Sequence, residues 1–592
     1  MSPRARANIV GLADTNIPQI TTAANPRRSS RASVNILGIN SVFHESSAAV
    51  IVDGRVIAAA EEERFNRVKH GKEARPDNPH VLPEHAIRFC LDYAGLGPSD
   101  IDQVAYSFVP RLRRATFRAD WWANPQNEHT FLQRLGEVGS ATRKVLGRPL
   151  RGKLKFVNHH LAHAASAYFP SGFDRAAILI IDGIGEAVCS TLASGNGTRI
   201  RTLDTKLFPH SLGFMWEAMS THLGFSTYDA AKVMGLAAYG DPKAFSREFA
   251  EVIRVTEEDY TVDEEAIGFQ SAKSSRHNAL FGNERGPGAE LLPRHADIAA
   301  ALQAATDAAV IAMARRLKRI SGMDRLCIAG GVALNCVTNT LVKESGLFSE
   351  VFIPSAPHDA GTAIGGALAV YYANGGVRPS RIDDTAFLGP QFAEQEVLAA
   401  VQAAGLTAKR SKAPAREAAE MIADGNIVAW FQGRMEFGPR ALGNRSLLGD
   451  PRRPDTREIF NRRVKHREDF RPFAPSVLAE HAHEWFDIGQ ASLSNDYMLF
   501  ACPVRPDRRD RIPAVLHCDG TARVQIVRRE ANPRFHELLS CFFAQTGVPM
   551  VLNTSFNDNE PIVCTPEHAI ATFRNTRIDA LFMGNVYLTS QT

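Results

Sequence analysis

One pattern of three short apolar runs occurs twice in the chain, and few folds accommodate it in duplicate. The first copy, from Val34, reads VNILGIN, SSAAVIVDG and RVIAAAEEER. Its second run closes on Asp53-Gly54, a dipeptide that reverses the chain between antiparallel strands. The second copy spans 176–206: AAILIIDGIGE, AVCSTLASG, a Gly-Asn-Gly turn, then TRIRTLDTK. Each copy predicts a strand, a polar loop and a hairpin of two more strands. Two such meanders in one half of a chain predict a duplicated α/β architecture. At 592 residues, 44% hydrophobic and 22% charged, the chain is too long for one core and predicts two to four globular domains.

Between 297 and 320, DIAAALQAATDAAVIAMARRLKRI places Ile298, Leu302, Ala305, Ala309, Met313 and Ile320 at helical spacing, with Asp297 as its N-cap. The strand RLCIAG follows, then Gly330, Gly331 and Asn335. Strand, glycine pair and helix let backbone approach a nucleotide closely, although such turns are common in α/β proteins. The actin, hexokinase and Hsp70 ATPase fold combines a duplicated meander with a nucleotide cleft. The stretch 372–388, YANGGVRPSRIDDTAFL, reads as a linker. VLAAVQAAG, REAAEMIADG and NIVAWFQG then alternate helix and strand patterns in a second domain. The expected division is a tail at 1–33, one domain at 34–375 and another at 376–592.

The net charge of +4 is too mild to imply a nucleic-acid partner, so anion recognition must come from local clusters. Eight cysteines (Cys90, Cys189, Cys327, Cys336, Cys502, Cys518, Cys541, Cys564) are scattered without a CxxC pair. That is the pattern of buried thiols in a reducing compartment. No apolar run approaches the roughly 18 residues that span a bilayer. These features predict a cytoplasmic protein with no membrane and no nucleic-acid partner. The first 33 residues are rich in Arg, Ser, Ala and Pro, with Asp14 the sole acid. Their composition fits a disordered tail or a misassigned start better than an organellar transit peptide.

FVNHHLAHAASAYF (156–169) packs His159, His160 and His163 into five positions. On a helix His159 and His163 share a face one turn apart, the spacing used by helical metal sites and also by packing histidines. His160 points elsewhere and reads as structural. Carboxylates to complete a site are Asp182, ending the strand AAILIID, and Asp359, ahead of a glycine-rich helix start in SAPHDAGTAIGGAL. Their plainer readings are a turn pair with Gly183 and a helix cap. A His2Asp2 set suits Fe(II), Mn(II) or Zn(II).

The densest arginine run is FQGRMEFGPRALGNRSLLGD (431–450) followed by NRRVKHREDFRPFAPS (461–476). Arg434, Arg440 and Arg445 stand among glycines and a proline, so they line a loop rather than a helix face. Lys465, Arg467 and Arg471 follow, and Arg523 lies in DGTARVQIV. Guanidinium forks in such loops bind phosphate or carboxylate bidentately. A basic nucleic-acid surface is the alternative, but interleaved Phe437, Phe470 and Phe473 favour a shaped pocket for a small polyanion. VLNTSFNDNEPIV (551–563) ends a strand on Asn553, Thr554 and Ser555, suited to phosphate or ribose contacts or to a turn.

In order, HESSAAVIVDGRVIAAAEEERFNRVKHG, NHHLAHAASAYF, LIIDGIGE, KVMGLAAYGDP, IAGGVALN, GRMEFGPRALGNRSLLGD, VKHREDFRPFAPS and LNTSFNDNEPIVCTP resemble the O-carbamoyltransferase family. Its members include nodulation-factor, cephem, tobramycin-type and ansamycin carbamoyltransferases. The resemblance covers about 34–590. It implies an N-terminal ASKHA (actin/Hsp70-like) module similar to tRNA threonylcarbamoyl-transferase. The C-terminal α/β module is similar to threonylcarbamoyl-adenylate synthase. The implied chemistry makes carbamoyl-adenylate from carbamoyl phosphate and ATP in the second module. The first module then moves the carbamoyl group to a hydroxyl.

The resemblance also implies roles for residues. His159, His163, Asp182 and Asp359 match a site for Fe(II) or another divalent metal, and His44, in VFHESS, the general base. Gly330, Gly331 and Asn335 match a nucleotide cleft with Lys232 nearby. Arg434, Arg440, Lys465, Arg467, Arg471 and Arg523, with Asn553 and Ser555, match the holders of the phosphate-bearing ligands. Co-substrates are ATP and carbamoyl phosphate with Mg(II), and the acceptor is a hydroxyl of a specialised metabolite or glycan. The acceptor pocket is expected from 106–150, with Trp121 and Trp122, and from 252–295. Oligomeric state is left open, a homodimer included. A tRNA threonylcarbamoyl-transferase-like enzyme is a rival that the mild charge and the two-module order oppose. An inactive nucleotide-binding protein is a second rival, which the filled ligand positions oppose.

Overall fold

A computed structural model describes residues 33–73, 78–116, 125–150, 152–263, 265, 276–379, 386–489 and 492–590. Trp121, Trp122, the tail before residue 33 and the centre of the 372–388 stretch lie outside the described residues.

The first meander forms β1 (Asn35–Asn40), β2 (Ser47–Val52) and β3 (Arg55–Glu61), to which β4 (Gln103–Tyr106) and β5 (Leu154–Phe156) add. The sheet order is β3-β2-β1-β4-β5, antiparallel within the meander and parallel from β1 to β5. The second meander forms β6 (Arg175–Ile181), β7 (Val188–Asn196) and β8 (Arg199–Leu207). A small hairpin, β9 (Ile253–Val255) and β10 (Tyr260–Val262), precedes β11 (Arg325–Ala329) and β12 (Glu350–Phe352). The second five-stranded sheet reads β12-β11-β6-β7-β8, with the same parallel and antiparallel pairings. One topology built twice makes this half a duplicated α/β domain of the actin/Hsp70 type. Strand β1 is buried throughout and β6 beyond its first residue, which explains their unbroken apolar runs.

Two helices, His159–Tyr168 and Gly361–Ala373, fill the core between the sheets. Ile36 and Ile51 of the first sheet and Ile178 and Ile180 of the second close on Ala162, Ala165, Ile364 and Ala367. The helices touch backbone to backbone: a Cβ on Gly365 would lie 1.8 Å from the Ala162 carbonyl oxygen. That contact fixes the distance between the histidine helix and the loop carrying Asp359.

The helix expected at 297–320 runs Pro293–Ser321. Asp297 is not its N-cap, because Pro293 opens the first turn, where a missing N–H costs nothing. The Asp297 carboxylate instead accepts from the Asp241 N–H at 2.8 Å. Among the described residues this is the one helix long and apolar enough to cross a membrane, and most of its apolar stretch is buried within the protein.

The C-terminal half is built on β13 (Lys409–Arg410), β14 (Val428–Phe431), β15 (Arg445–Gly449), β16 (Ala474–Leu478), β17 (Ala501–Pro503), β18 (Thr521–Arg523), β19 (Gln525–Val527), β20 (Met550–Ser555), β21 (Ala580–Met583) and β22 (Val586–Thr589). Eight of these form one mixed sheet, β13-β22-β21-β14-β15-β20-β16-β19, and β17 pairs with β18. The apolar core does not stop between the halves: Leu179 and Ile328 belong to the same buried cluster as Trp430 and Leu447. Arginines stitch the seam. Arg64 donates to the Gly438 carbonyl at 2.8 Å and Arg67 to those of Ile562, at 2.7 Å, and Pro561.

Candidate active site

Asn158 caps the histidine helix by accepting from the Leu161 N–H at 3.0 Å. His159 and His163 then project from one face. Their Nε2 atoms stand 3.3 and 3.7 Å from Asp182 Oδ2 and 3.4 and 3.3 Å from Asp359 Oδ1. All four side chains are buried, and one donor atom from each lies within 4.8 Å of the others. Neither Nε2 has a hydrogen-bond partner. The His159 Nδ1–H donates to the Ser107 carbonyl at 3.1 Å, which turns Nε2 to the carboxylates. Asp182 is oriented by the Gly331 N–H, 2.9 Å from Oδ1. Burial and the facing Asp359 both push Asp182 up, yet the two imidazoles hold it at about 2. Burial likewise opposes the His159 imidazolium, but Asp359 and Asp182 raise it well above its usual range. Two imidazole nitrogens and two carboxylates converging within 4.8 Å of one another fit a borderline divalent cation, which takes the place of the protons the carboxylates otherwise hold on the imidazoles. His160 turns away to Thr191 Oγ1 at 2.8 Å, and burial pulls its pKa down to about 3.

Asp182 and Asp359 open onto a cavity of about 360 Å³ that also takes in His44, Glu217, Gly331, Asn335 and, from the C-terminal half, Arg440. Phe43, Phe131, Phe214 and Tyr228 supply its apolar wall. Burial disfavours the His44 imidazolium, but Glu45 beside it, then Asp359 and Glu217, raise its pKa to about 9. Glu217 reaches the cavity because its helix, Leu212–His222, docks without a side chain between: a Cβ on Gly213 would lie 2.7 Å from Gly183. One turn on, the Glu217 carboxyl passes alongside Gly183, and burial pushes it up to about 8.

Arg440, Arg467, Arg471 and Arg523 gather at the seam. Burial lowers the pKa of each, and neighbouring guanidiniums depress Arg440, Arg467 and Arg523 further, bringing Arg440 and Arg467 to about 9, while Glu468 and Asp229 oppose the fall at Arg471. Arg440 Nε, Arg467 Nη2 and Arg523 Nε are buried with no hydrogen-bond partner. Lys232 stands at the edge, 3.3 Å from Asp229 and 3.4 Å from Glu468. Lys465 is brought to Ser555, donating to its carbonyl at 2.6 Å and to both Asn557 oxygens at 2.7 Å.

Other residues of the same sequence runs are otherwise engaged. Arg434 donates to the carbonyls of Ile57, Leu388 and Gly389 and lies over the Tyr93 ring at 4.1 Å. Its guanidinium clamps the two halves. Arg445 is spent on carbonyls of Gln432, Gly433, Asn444 and Pro390. The Asn553 amide donates to Ala441, Ser476 and Gln525 inside the sheet. Asn335 caps the helix Cys336–Glu344 by accepting from Val337 and Thr338 N–H groups, while Gly330 turns the chain at the end of β11 with φ +96°.

A carbamoyltransferase N-terminus family model matches residues 35–368, and a carbamoyltransferase C-terminus model matches 419–590. The chain belongs to the carbamoyltransferase family. It is 38% identical to nodulation protein NolNO of Sinorhizobium fredii over 93% of this chain and 80% of that protein. To nodulation protein NolO of Bradyrhizobium diazoefficiens it is 39% identical, over 72% and 78% of the two chains. An uncharacterized Synechocystis protein, sll1178, is 36% identical over 94% and 96%.

Sequence reasoning on this carbamoyltransferase did not single out Glu45, His70, Glu217 or Tyr228, all of which line the cavity. For Glu217 a signal existed: an acid one helical turn from Gly213 in the otherwise apolar SLGFMWEAM. For Glu45 and His70 none did, because loop torsions bring them together.

Proposed function

We propose that this carbamoyltransferase is an ATP-dependent O-carbamoyltransferase working in the cytoplasm on a hydroxyl of a specialised metabolite or glycan. The observation that carries the reading is one cavity walled by both halves, with the His2Asp2 set at one side and the unpaired Arg440 at the other.

In the first half-reaction carbamoyl phosphate, water and ATP give carbamoyl-adenylate, phosphate and pyrophosphate, with Mg(II) bound to the nucleotide. Several phosphates must meet in one place, and Arg440, Arg467 and Arg523, whose guanidiniums keep nitrogens without hydrogen-bond partners, supply fixed positive charge beside Arg471, which Glu468 meets at 3.8 Å. Lys465, held on Ser555 and Asn557, stands near enough to Arg467 and Arg471 to feel their charge, as expected of a module similar to threonylcarbamoyl-adenylate synthase.

In the second half-reaction the acceptor oxygen attacks the carbamoyl carbon, its proton goes to His44, and AMP departs. Fe(II), or another divalent metal, held by His159, His163, Asp182 and Asp359 supplies Lewis-acid polarisation of the adenylate when bound. Gly331 steadies Asp182, and the apolar wall limits the water that would otherwise hydrolyse the mixed anhydride, leaving a slow release of AMP to water. The test is mass spectrometry of products from carbamoyl phosphate, ATP, Fe(II) and a panel of hydroxylated metabolites and oligosaccharides. One AMP per carbamate is expected. Threonine and bicarbonate replacing carbamoyl phosphate with equal AMP yield overturns the reading.

A further inference from the structure

Three non-glycine residues of the cavity lining occupy left-handed backbone: Phe43 at φ +54°, Glu45 at +60° and His70 at +65°. Side chains rarely adopt such torsions, and they persist only where surrounding contacts impose them. Here the contacts are explicit. Asn40 Nδ2 donates to the Glu45 carbonyl at 3.0 Å, Ser46 N–H to the His70 carbonyl at 3.1 Å, and His70 N–H to Glu63 Oε2 at 2.9 Å.

The outcome is a carboxylate among imidazoles. Glu45 Oε1 lies 2.6 Å from His70 Nδ1 and 3.8 Å from His44 Nδ1, and Oε2 lies 3.7 Å from His358 Nε2. His44 Nδ1 is buried with no hydrogen-bond partner, so Nε2 is the nitrogen left to the cavity. Tyr228 stands against both rings, its centroid 4.9 Å from that of His44 and 5.2 Å from that of His70.

We propose that Glu45 is the positioning residue of His44: pinned by His70, its carboxylate turns His44 Nδ1 inward and Nε2 toward the acceptor hydroxyl. The proposal rests on His44 taking the acceptor proton. On transfer the acceptor O–H bond breaks, an N–H bond forms at Nε2, and the imidazolium is countered by Glu45. The other groups facing His44 are Glu217, Asp359, the Tyr228 ring, His70, its ring centroid 5.7 Å away, and His358; neither they nor Glu45, at 3.8 Å, hydrogen-bond Nδ1, so Glu45 acts on it by charge at close range.

The test compares wild type with Glu45→Gln and Glu45→Asp in the full chain. Histidine C2–H exchange followed by mass spectrometry reads the titration midpoint of each histidine without turnover. Glu45→Gln is expected to lower the His44 midpoint by a pH unit or more and leave buried His160 unmoved, with Glu45→Asp in between. AMP release with water as the acceptor is expected to slow at least tenfold in Glu45→Gln and to follow the new midpoint. An unchanged His44 midpoint, or lost activity with no midpoint change, overturns the proposal. Carbamoyl-phosphate-dependent exchange of pyrophosphate into ATP serves as the separate arm. Its absence in wild type sinks the proposed reaction, while the midpoints still decide the role of Glu45.

Discussion

Replacing Arg440 with methionine is expected to strengthen the empty protein while disabling it. Burial and the neighbouring Arg523 hold this guanidinium at about 9. Taken from its ordinary 12.5 at 1.36 kcal/mol per pH unit, that is about 5 kcal/mol at most. Arg440 lines an open cavity, and water there screens part of the penalty, leaving roughly 1–3 kcal/mol. The sign follows from protonation. A cation with a depressed folded value is charged in both states at neutral pH, so its cost is fully present there and fades only as pH rises through 9. Methionine fills similar volume without a charge. Thermal unfolding without ligand is therefore expected to move up by a few degrees, at about 2 °C per kcal/mol for a long chain. Pyrophosphate at a hundred times its dissociation constant stabilises wild type by about 2.7 kcal/mol and is expected to do little for the variant. A variant that melts below wild type, or that responds to pyrophosphate as wild type does, refutes the reasoning.

His159→Ala and His163→Ala are each expected to lose bound iron by metal analysis and to abolish carbamoylation of the acceptor, with pyrophosphate exchange into ATP retained. Transfer should climb with pH and level off only above about 9, where His44 loses its proton, and His44→Asn should remove that limb. Folding stability runs the opposite way: the raised histidine contributes fully below 6.5 and loses its contribution as pH rises through about 9. Gly213→Ala would place a Cβ 2.7 Å from Gly183 and 3.0 Å from the Asp182 carbonyl carbon. It should cost about 1–3 kcal/mol and weaken metal binding, and an unchanged melting curve with full metal content would sink that expectation.

The meanders were legible because period and turn residues encode them locally: Asp53-Gly54 closes β2 onto β3 where the pattern placed it. His159 and His163 were legible for the same reason, since helical spacing needs no knowledge of the partner. Arg434 and Arg440 were not separable. They share one loop and one chemistry, and what divides them is tertiary: the carbonyls of Ile57 and Leu388 reach Arg434, whereas no partner among the described residues hydrogen-bonds Arg440 Nε. Asp297 illustrates the reverse case, a good capping residue displaced by a proline four residues earlier.

The hydrogen bonds that Arg64, Arg67 and Arg434 send across the seam all end on main-chain oxygens, those of Gly438, of Ile562 and Pro561, and of Ile57, and the Tyr93 ring under Arg434 adds a side-chain contact. A carbonyl is present whatever amino acid carries it. Apart from the Tyr93 ring, their grip reads the path of the opposing chain and is indifferent to its composition. The residues that carry these carbonyls can therefore change without loosening the joint, whereas Tyr93 cannot. A hybrid that takes each half from a different relative keeps it as well, so long as the three arginines, Tyr93 and the facing backbone course are inherited together.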